Sequence, residues 1–481
     1  MHRLLHDADI VPRRRTGLPW ITVAPGAPYF ADEHGAAWTP IGHNDAITWP
    51  NLHGLFRRRD LPAVEAHFRM LVAHGVTVLR LMIEYAQVRH RYLERPAGVF
   101  VPAMVQLWDD LFAMCERVGL RLLLTPVDTF WMWLHWRHHP WNVAHGGPLA
   151  RMNEALLCAG TRTAVKARLT FIVERWGGSG ALFAWDLWNE IHPAQSMEQV
   201  DGWHDFIADL SHHVRSLERR LYGRSHPQTV SLFGPELHLQ PHHDLATPIF
   251  RHPDLDFATI HIYRHGSIDD PRNTVAPAVA MGGIVRDCLA EITDARPFLD
   301  TEHGPIHSFK DRKRTLPEAF DDEYFRHIAW AHLASGAAGG GMRWPNRHPH
   351  VLTPGMHRAQ AAMAKFLPLI DWPRFRRRNL NEKVKATGFH PFACGDETRA
   401  LVYLLRRRSL APDGRIDPTA EPRAPLVTVP GLTAGRYRIT GWNTAEGIPA
   451  ETLEATSDGT TLRFTPDPIV ADRAFAIRRA D

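Results

Sequence analysis

Residues 182–190 read Leu182-Phe183-Ala184-Trp185-Asp186-Leu187-Trp188-Asn189-Glu190. A short, nearly continuous apolar run of this kind is a strand buried on both faces, as strands of a parallel sheet are. It follows an amphipathic stretch at residues 160–178, GTRTAVKARLTFIVERWGG, which has helical spacing. The same helix-then-strand unit occurs on the N-terminal side. Residues 61–75, LPAVEAHFRMLVAHG, precede TVLRLM at 77–82, and residues 101–119, VPAMVQLWDDLFAMCERVG, precede LRLLLTPV at 120–127. Gly75 and Gly119 end those helices as natural C-caps.

Extending the pattern gives eight strands: Ile41–Asn44, Thr77–Met82, Leu120–Val127, Leu182–Asn189, Thr229–Gly234, Phe257–Tyr263, Pro297–Thr301 and Ala337–Trp344. Eight strand–helix units predict an α/β fold, a (β/α)8 TIM barrel over residues 41–372. A doubly wound open sheet would need a phosphate-binding turn, and neither GxGxxG nor GxxxxGK[ST] occurs. Residues 1–40 form an N-terminal segment with a hairpin turning at Asp32-Glu33-His34-Gly35, placed to close the barrel bottom or to lead into the first strand. Residues 373–481 change to short strands and turns, with a Pro-rich loop at 410–425, and predict a small C-terminal all-β sandwich.

The chain has 481 residues, 44% hydrophobic and 22% charged, which is ordinary globular usage and long enough for a barrel plus a module. The net charge of +4 is dispersed. Its Arg triplets at 13–15, 57–59, 376–378 and 406–408 read as solvated surface, without the basic, aromatic-interleaved face that nucleic-acid binding needs. Cys115, Cys158, Cys288 and Cys394 are far apart and form no CxxC pair. No run suits a membrane span and Met1–Asp7 holds no apolar leader core, so the expected location is cytoplasmic.

Barrel enzymes carry reacting groups at the C-terminal ends of strands. The fourth strand ends in Asn189-Glu190, the sixth in His261-Ile262-Tyr263, and the seventh runs into Thr301-Glu302-His303-Gly304. Two carboxylates facing each other across one barrel mouth are the minimal equipment for glycoside hydrolysis. Arg80, inside an apolar strand, requires a buried partner. Asp186, inside the fourth strand, is expected to pair within the barrel.

The segments WDLWNE, HIY and DTEHG, in this strand order, resemble the clan A glycoside hydrolases, in particular glycoside hydrolase family 5, with its cellulases and mannanases. The resemblance covers about residues 20–370. It implies that Glu190 is the acid/base and Glu302 the nucleophile of a retaining β-glycosidase, that Arg80 and Tyr263 support Glu302, and that Trp344 stacks on sugar. Asn189 would then bind the sugar 2-hydroxyl, and His261 would orient a sugar hydroxyl or Tyr263. The charge of Glu302 and a partly dry cleft would raise the pKa of Glu190 and hold it protonated at rest.

The loop after the third strand, DTFWMWLHWRHHPWNVAHGG at 128–147, places Trp131, Trp133, Trp136 and Trp141 near the mouth. One or two of these, Trp131 foremost, are candidate sugar platforms, and Asp128 is a candidate hydroxyl partner. Asn44 after the first strand is a further candidate, as are Asp45, Glu84, Glu236 and His238 at other strand ends. His135, His138, His139 and His145 lack an accompanying carboxylate at standard spacing, so neither a metal nor any other cofactor is expected. The expected partner is an oligosaccharide or glycoside substrate, with neither nucleic acid nor membrane. A transglycosidase with the same residues, a noncatalytic glycan-binding barrel and a metal-dependent hydrolase built on the His-rich loop remain as alternatives.

Overall fold

The computed structural model describes residues 17–84, 92–306, 315–346 and 348–480. Arg13–Arg15 and the start of the chain therefore lie outside the described residues. Strands β1 (Ile21–Val23), β2 (Phe30–Asp32) and β3 (Ala37–Trp38) form a small antiparallel sheet. Its hairpin turns through Gly35 at a φ of 85°, a left-handed conformation that glycine adopts at little cost. Phe30 packs edge-on against Phe183 and Phe257, which begin two barrel strands, so the hairpin plugs the barrel bottom as expected.

The barrel strands are β4 (Gly42–Asn44), β5 (Val78–Met82), β6 (Arg121–Thr125), β7 (Leu182–Asp186), β8 (Gln228–Thr229), β9 (Ala258–Ile262), β10 (Phe298–His303) and β11 (Met342–Arg343). They pair in parallel in the order β8-β7-β6-β5-β4-β11-β10-β9. Hydrogen bonds from His261 N to Leu232 O (2.8 Å) and from Gly234 N to His261 O (2.9 Å) join the last strand to the first and close the ring.

The second, third, fourth and sixth strands start within a residue of their expected positions, because their apolar runs are continuous. The fifth and eighth ladders are shorter than expected. The fifth keeps two laddered residues before the chain continues through Leu232 to Gly234. In the eighth, Gly339 and Gly341 have φ values of 92° and 73°, so residues 337–341 turn rather than extend. A Cβ on Gly339 would sit 2.1 Å from the Pro40 carbonyl, so close approach as well as conformation requires glycine there. The seventh strand is longer than expected and includes Glu302 and His303.

The C-terminal nine strands, from Arg378 to Arg479, make the expected all-β domain, but as one antiparallel sheet curled round its own apolar core and not as the two facing sheets of a sandwich. It packs on the barrel helix Glu318–Ala334. Arg326 on that helix pairs with Asp472 and donates to Thr444 Oγ1 at 2.6 Å. Arg57, Arg58 and Arg59 are exposed as expected. In the other two triplets one Arg turns inward: Arg377 donates to the Gly336 carbonyl, and Arg406, buried, donates to that of Glu421. All four cysteines are free. Among the described residues no helix is long and apolar enough to cross a membrane.

Candidate active site

Each strand of the ring ends at one mouth, and a cavity of about 250 Å³ opens there. Glu190, Glu302, Asn189, Tyr263, Trp344, Asp128 and Trp131 border it, together with Met82, Thr129, Phe130, Trp133, His192, Phe233, Glu236, Ile306 and Asn346.

Glu302 is delivered by an irregularity. On β10, Asp300 faces Ile260 of β9 and Glu302 faces His261, so Thr301 is an extra residue in the ladder. Such a bulge bends the strand and re-aims its side chains. The carboxylate of Glu302 accepts from Tyr263 Oη (2.7 Å) on one oxygen and from Arg80 Nη1 (3.0 Å) on the other. Burial pushes its pKa upward, the neighbouring Glu190 adds to that, and His261, Arg80 and Tyr263 oppose it.

Arg80 ties the floor together. It is fully buried, and its partners are Asn44 Oδ1 (2.9 Å), Glu302, Asp186 Oδ2 (2.8 Å) and Asn189 Oδ1 (2.5 Å). The buried arginine thus meets two carboxylates, and Asp186 pairs inside the barrel. Asp186 also accepts from Ser231 N (2.9 Å) and Ser231 Oγ (2.8 Å).

Glu190 has a φ of 49°, a left-handed conformation that is costly for a non-glycine residue and recurs at functional sites. Its N–H donates to Ser231 Oγ at 3.2 Å, which helps hold that turn. Its side chain is 17% exposed, toward the cavity. Its pKa is pushed up to about 7, chiefly by burial, with Asp186 and Glu236 adding to the rise and Arg80 opposing it. Of the two expected causes, the partly dry cleft is the main one, while the accompanying charge comes from Asp186 and Glu236 and not chiefly from Glu302.

The remaining expected polar residues all have partners within the protein. His261 pairs with the two glutamates and not with Tyr263, and it does not border the cavity: its Nδ1 lies 2.7 Å from Glu190 Oε1 and 3.6 Å from Glu302 Oε2. Burial lowers its pKa to about 4, which favours the neutral ring. Asn44 does not border the cavity. It sits beneath, donating to the Thr301 carbonyl (2.9 Å) while it accepts from Arg80. Asp128 borders the cavity, but its oxygens cap the helix Thr129–His135 by accepting from Phe130 N and Trp131 N, and one also accepts from Asn189 Nδ2 (2.6 Å). Asn189 is consequently held at both ends of its amide by protein groups.

Of the four loop tryptophans, Trp131 and Trp133 border the cavity. Trp141 is buried, donating to Glu94 beneath the guanidinium of Arg168. Trp344 lies 5.0 Å from Trp49, an aromatic neighbour the sequence did not single out. The loop histidines diverge. His135 stacks on Trp131, His139 faces Glu84 at 3.5 Å, His145 meets the Arg137 carbonyl, and His138 accepts from the Arg137 side chain. Of the other strand-end candidates, Glu236 borders the cavity and Asp45, Glu84 and His238 do not. Ser231 and His192 also went unnoticed in the sequence; only their positions just beyond strand ends offered a signal.

Among the described residues, Glu190, His261 and Glu302 are the one set of acid and imidazole groups spaced as metal ligands are, each offering an atom within 4.8 Å of the others. The guanidinium of Arg80 already lies 3.0 Å from Glu302, so positive charge is supplied there by the chain itself and would repel a cation.

No family model and no curated protein matches this sequence. The fold is shared with solved structures. One described as a glycoside hydrolase is 13% identical, with 97% of this chain and 99% of that one covered at a TM-score of 0.62. A glycoside hydrolase family 5 structure from Bacteroides vulgatus is 12% identical, with 97% and 95% covered at a TM-score of 0.64. A third, a putative glycoside hydrolase from the same organism, is 11% identical, with 98% and 84% covered at a TM-score of 0.55. At such identities the likeness is one of fold, and it extends over the barrel and the C-terminal sheet together.

Proposed function

We propose that this chain is a retaining O-glycoside hydrolase of cellulase or mannanase type, acting on β-linked gluco- or manno-configured glycans or glycosides. Glu302 attacks the anomeric carbon while Glu190 gives its proton to the departing oxygen, leaving a glycosyl ester on Glu302 and a free alcohol. Glu190, now ionised, takes a proton from water as that water attacks the same carbon, and Glu302 leaves as carboxylate. The two ionisation states fit these roles. Glu190, with a pKa of about 7, holds a proton near neutrality. Glu302 has Arg80 and Tyr263 to steady its negative charge.

The observation that carries this reading is the short separation of the two carboxyl groups, with oxygens within 4.8 Å of each other in one cavity. Double displacement needs carboxyls about 5–5.5 Å apart, whereas single displacement through an interposed water needs roughly 6.5–9.5 Å. Trp131, Trp133 and Trp344 supply flat apolar faces for sugar C–H groups.

The test is a screen of aryl β-glycosides followed by Glu302→Ala with added azide. The expected result is loss of turnover by several orders of magnitude, partly restored as the α-glycosyl azide. Ordinary turnover in Glu302→Ala or in Glu190→Ala contradicts the assignment.

A further inference from the structure

Every barrel strand but β8 is followed by a helix of 13 residues or more. After β8 come only the four-residue helices Glu236–Leu239 and Thr247–Phe250. The sheet lacks part of its helical cover there, and a second cavity, of about 300 Å³, lies outside the barrel wall. Ile260 and Ile262 of β9 border it, on the opposite side of the strand from His261, which points inward to Glu190. Leu237 and Phe250 of the two short helices add apolar walls. The third wall is the helix Ala276–Glu291, which contributes Ile284, Asp287, Cys288 and Glu291. That spacing is one helix face, and seven residues of helix run about 10 Å, the length of a medium-chain alkyl tail.

The charged groups around this slot are unequal. Each acid has an arginine of its own: Asp287 accepts from Arg286 at 2.8 and 2.9 Å, and Glu291 accepts from Arg251 at 2.7 Å. Burial pushes the Cys288 thiol upward, so it stays an uncharged part of the wall. Arg264, just beyond the end of β9, is exposed and borders the cavity. Asp269 accepts from its backbone N–H at 2.8 Å, and the guanidinium has no ion-pair partner among the described residues. An apolar slot with one unspent cation at its strand-end side complements an apolar tail carrying one negative charge. We propose that this cavity is a binding site for a medium-chain aliphatic carboxylate, with its tail along Ile260, Ile262 and Ile284 and its carboxylate paired with Arg264. The site is separate from the glycosidase chemistry, although Tyr263 borders both cavities.

The experiment is calorimetric titration of the full chain with butanoate, hexanoate and octanoate, and with 1-octanol and octylammonium. One saturable site is expected, tightening about fourfold for each CH₂ between butanoate and octanoate. Octanoate should bind about threefold or more tighter than octanol, and octylammonium weakest. Ile284→Trp, which fills the slot, should weaken octanoate about tenfold or more. Arg264→Gln, an exposed change that leaves the packing alone, should make octanoate and octanol equal. Octanoate that does not saturate at millimolar concentration, an affinity indifferent to chain length, octylammonium bound as tightly as octanoate, or octanoate binding unchanged in both variants overturns the proposal. None of these results bears on whether the chain cleaves glycosides, which the azide experiment decides separately.

Discussion

Replacing Arg80 with Met tests whether the floor of the cavity works as described. The methionine fills much of the arginine stem volume but removes a charge that lies 3.0 Å from Glu302 and 2.8 Å from Asp186. At 3.0 Å and an effective dielectric near 20, one such pair is worth roughly 5 kcal/mol. Glu302 keeps its bond from Tyr263 and has a cavity-facing edge, so about 3 kcal/mol is the expected loss to its anion, equivalent to a pKa rise of about two. The sign follows from the role. Glu302 must be ionised to attack, its pKa is already raised by burial, and a further rise reduces the share of anion. We expect kcat/KM at pH 7 to fall about a hundredfold or more and the acid limb of the pH profile to move upward, so that the deficit narrows as pH increases. Stability should fall by about 3–5 kcal/mol, since two buried carboxylates lose their counterion. The assay is kcat/KM on an aryl glycoside between pH 4 and 9, with circular dichroism to show that the variant is folded. A folded Arg80→Met protein with kcat/KM within tenfold of wild type and an unmoved acid limb would refute the reasoning.

Two more outcomes are expected. Because Glu190 must be protonated for the first step and its pKa is about 7, wild-type activity on a poor leaving group should decline as pH rises through about 7, and Glu190→Gln should abolish that limb; a profile flat to pH 9 contradicts it. Arg326→Ala should cost about 3–5 kcal/mol in denaturant unfolding, because Asp472, buried and with its pKa held far below the usual carboxylate range by this arginine, would lose its cation at the seam between barrel and sheet; a change under 1 kcal/mol would contradict it.

Strand positions were readable wherever apolar runs were unbroken. LRLLLTPV and LFAWDLWNE could hardly be anything but doubly buried strands, and their ladders lie inside those segments. AAGGGMRW read as one strand because three glycines leave an apolar run intact in composition while bending it in space. At the site, position at a strand end indicated that Glu190, Glu302, Arg80 and Tyr263 would meet, but it does not say whether a side chain points into the cavity or below it. Asn44 faces down onto backbone carbonyls, and Asp128 turns back to cap its own helix. The partner of His261 was missed for a related reason: its neighbour across the mouth is 71 residues away, and no local pattern encodes that. Separation in sequence likewise hides the approach of His192 to Glu236.

Thr301, the surplus residue in the seventh barrel strand, has no chemical part in the cavity, yet it determines where Glu302 points. Side chains on a strand alternate between faces, so one residue of slack in the backbone is enough to change which of them reach the opening. The reach of that carboxylate is therefore written in the count of residues between two hydrogen bonds, and a deletion at Thr301 would silence the group as surely as removing its oxygens, with the glutamate itself still in place.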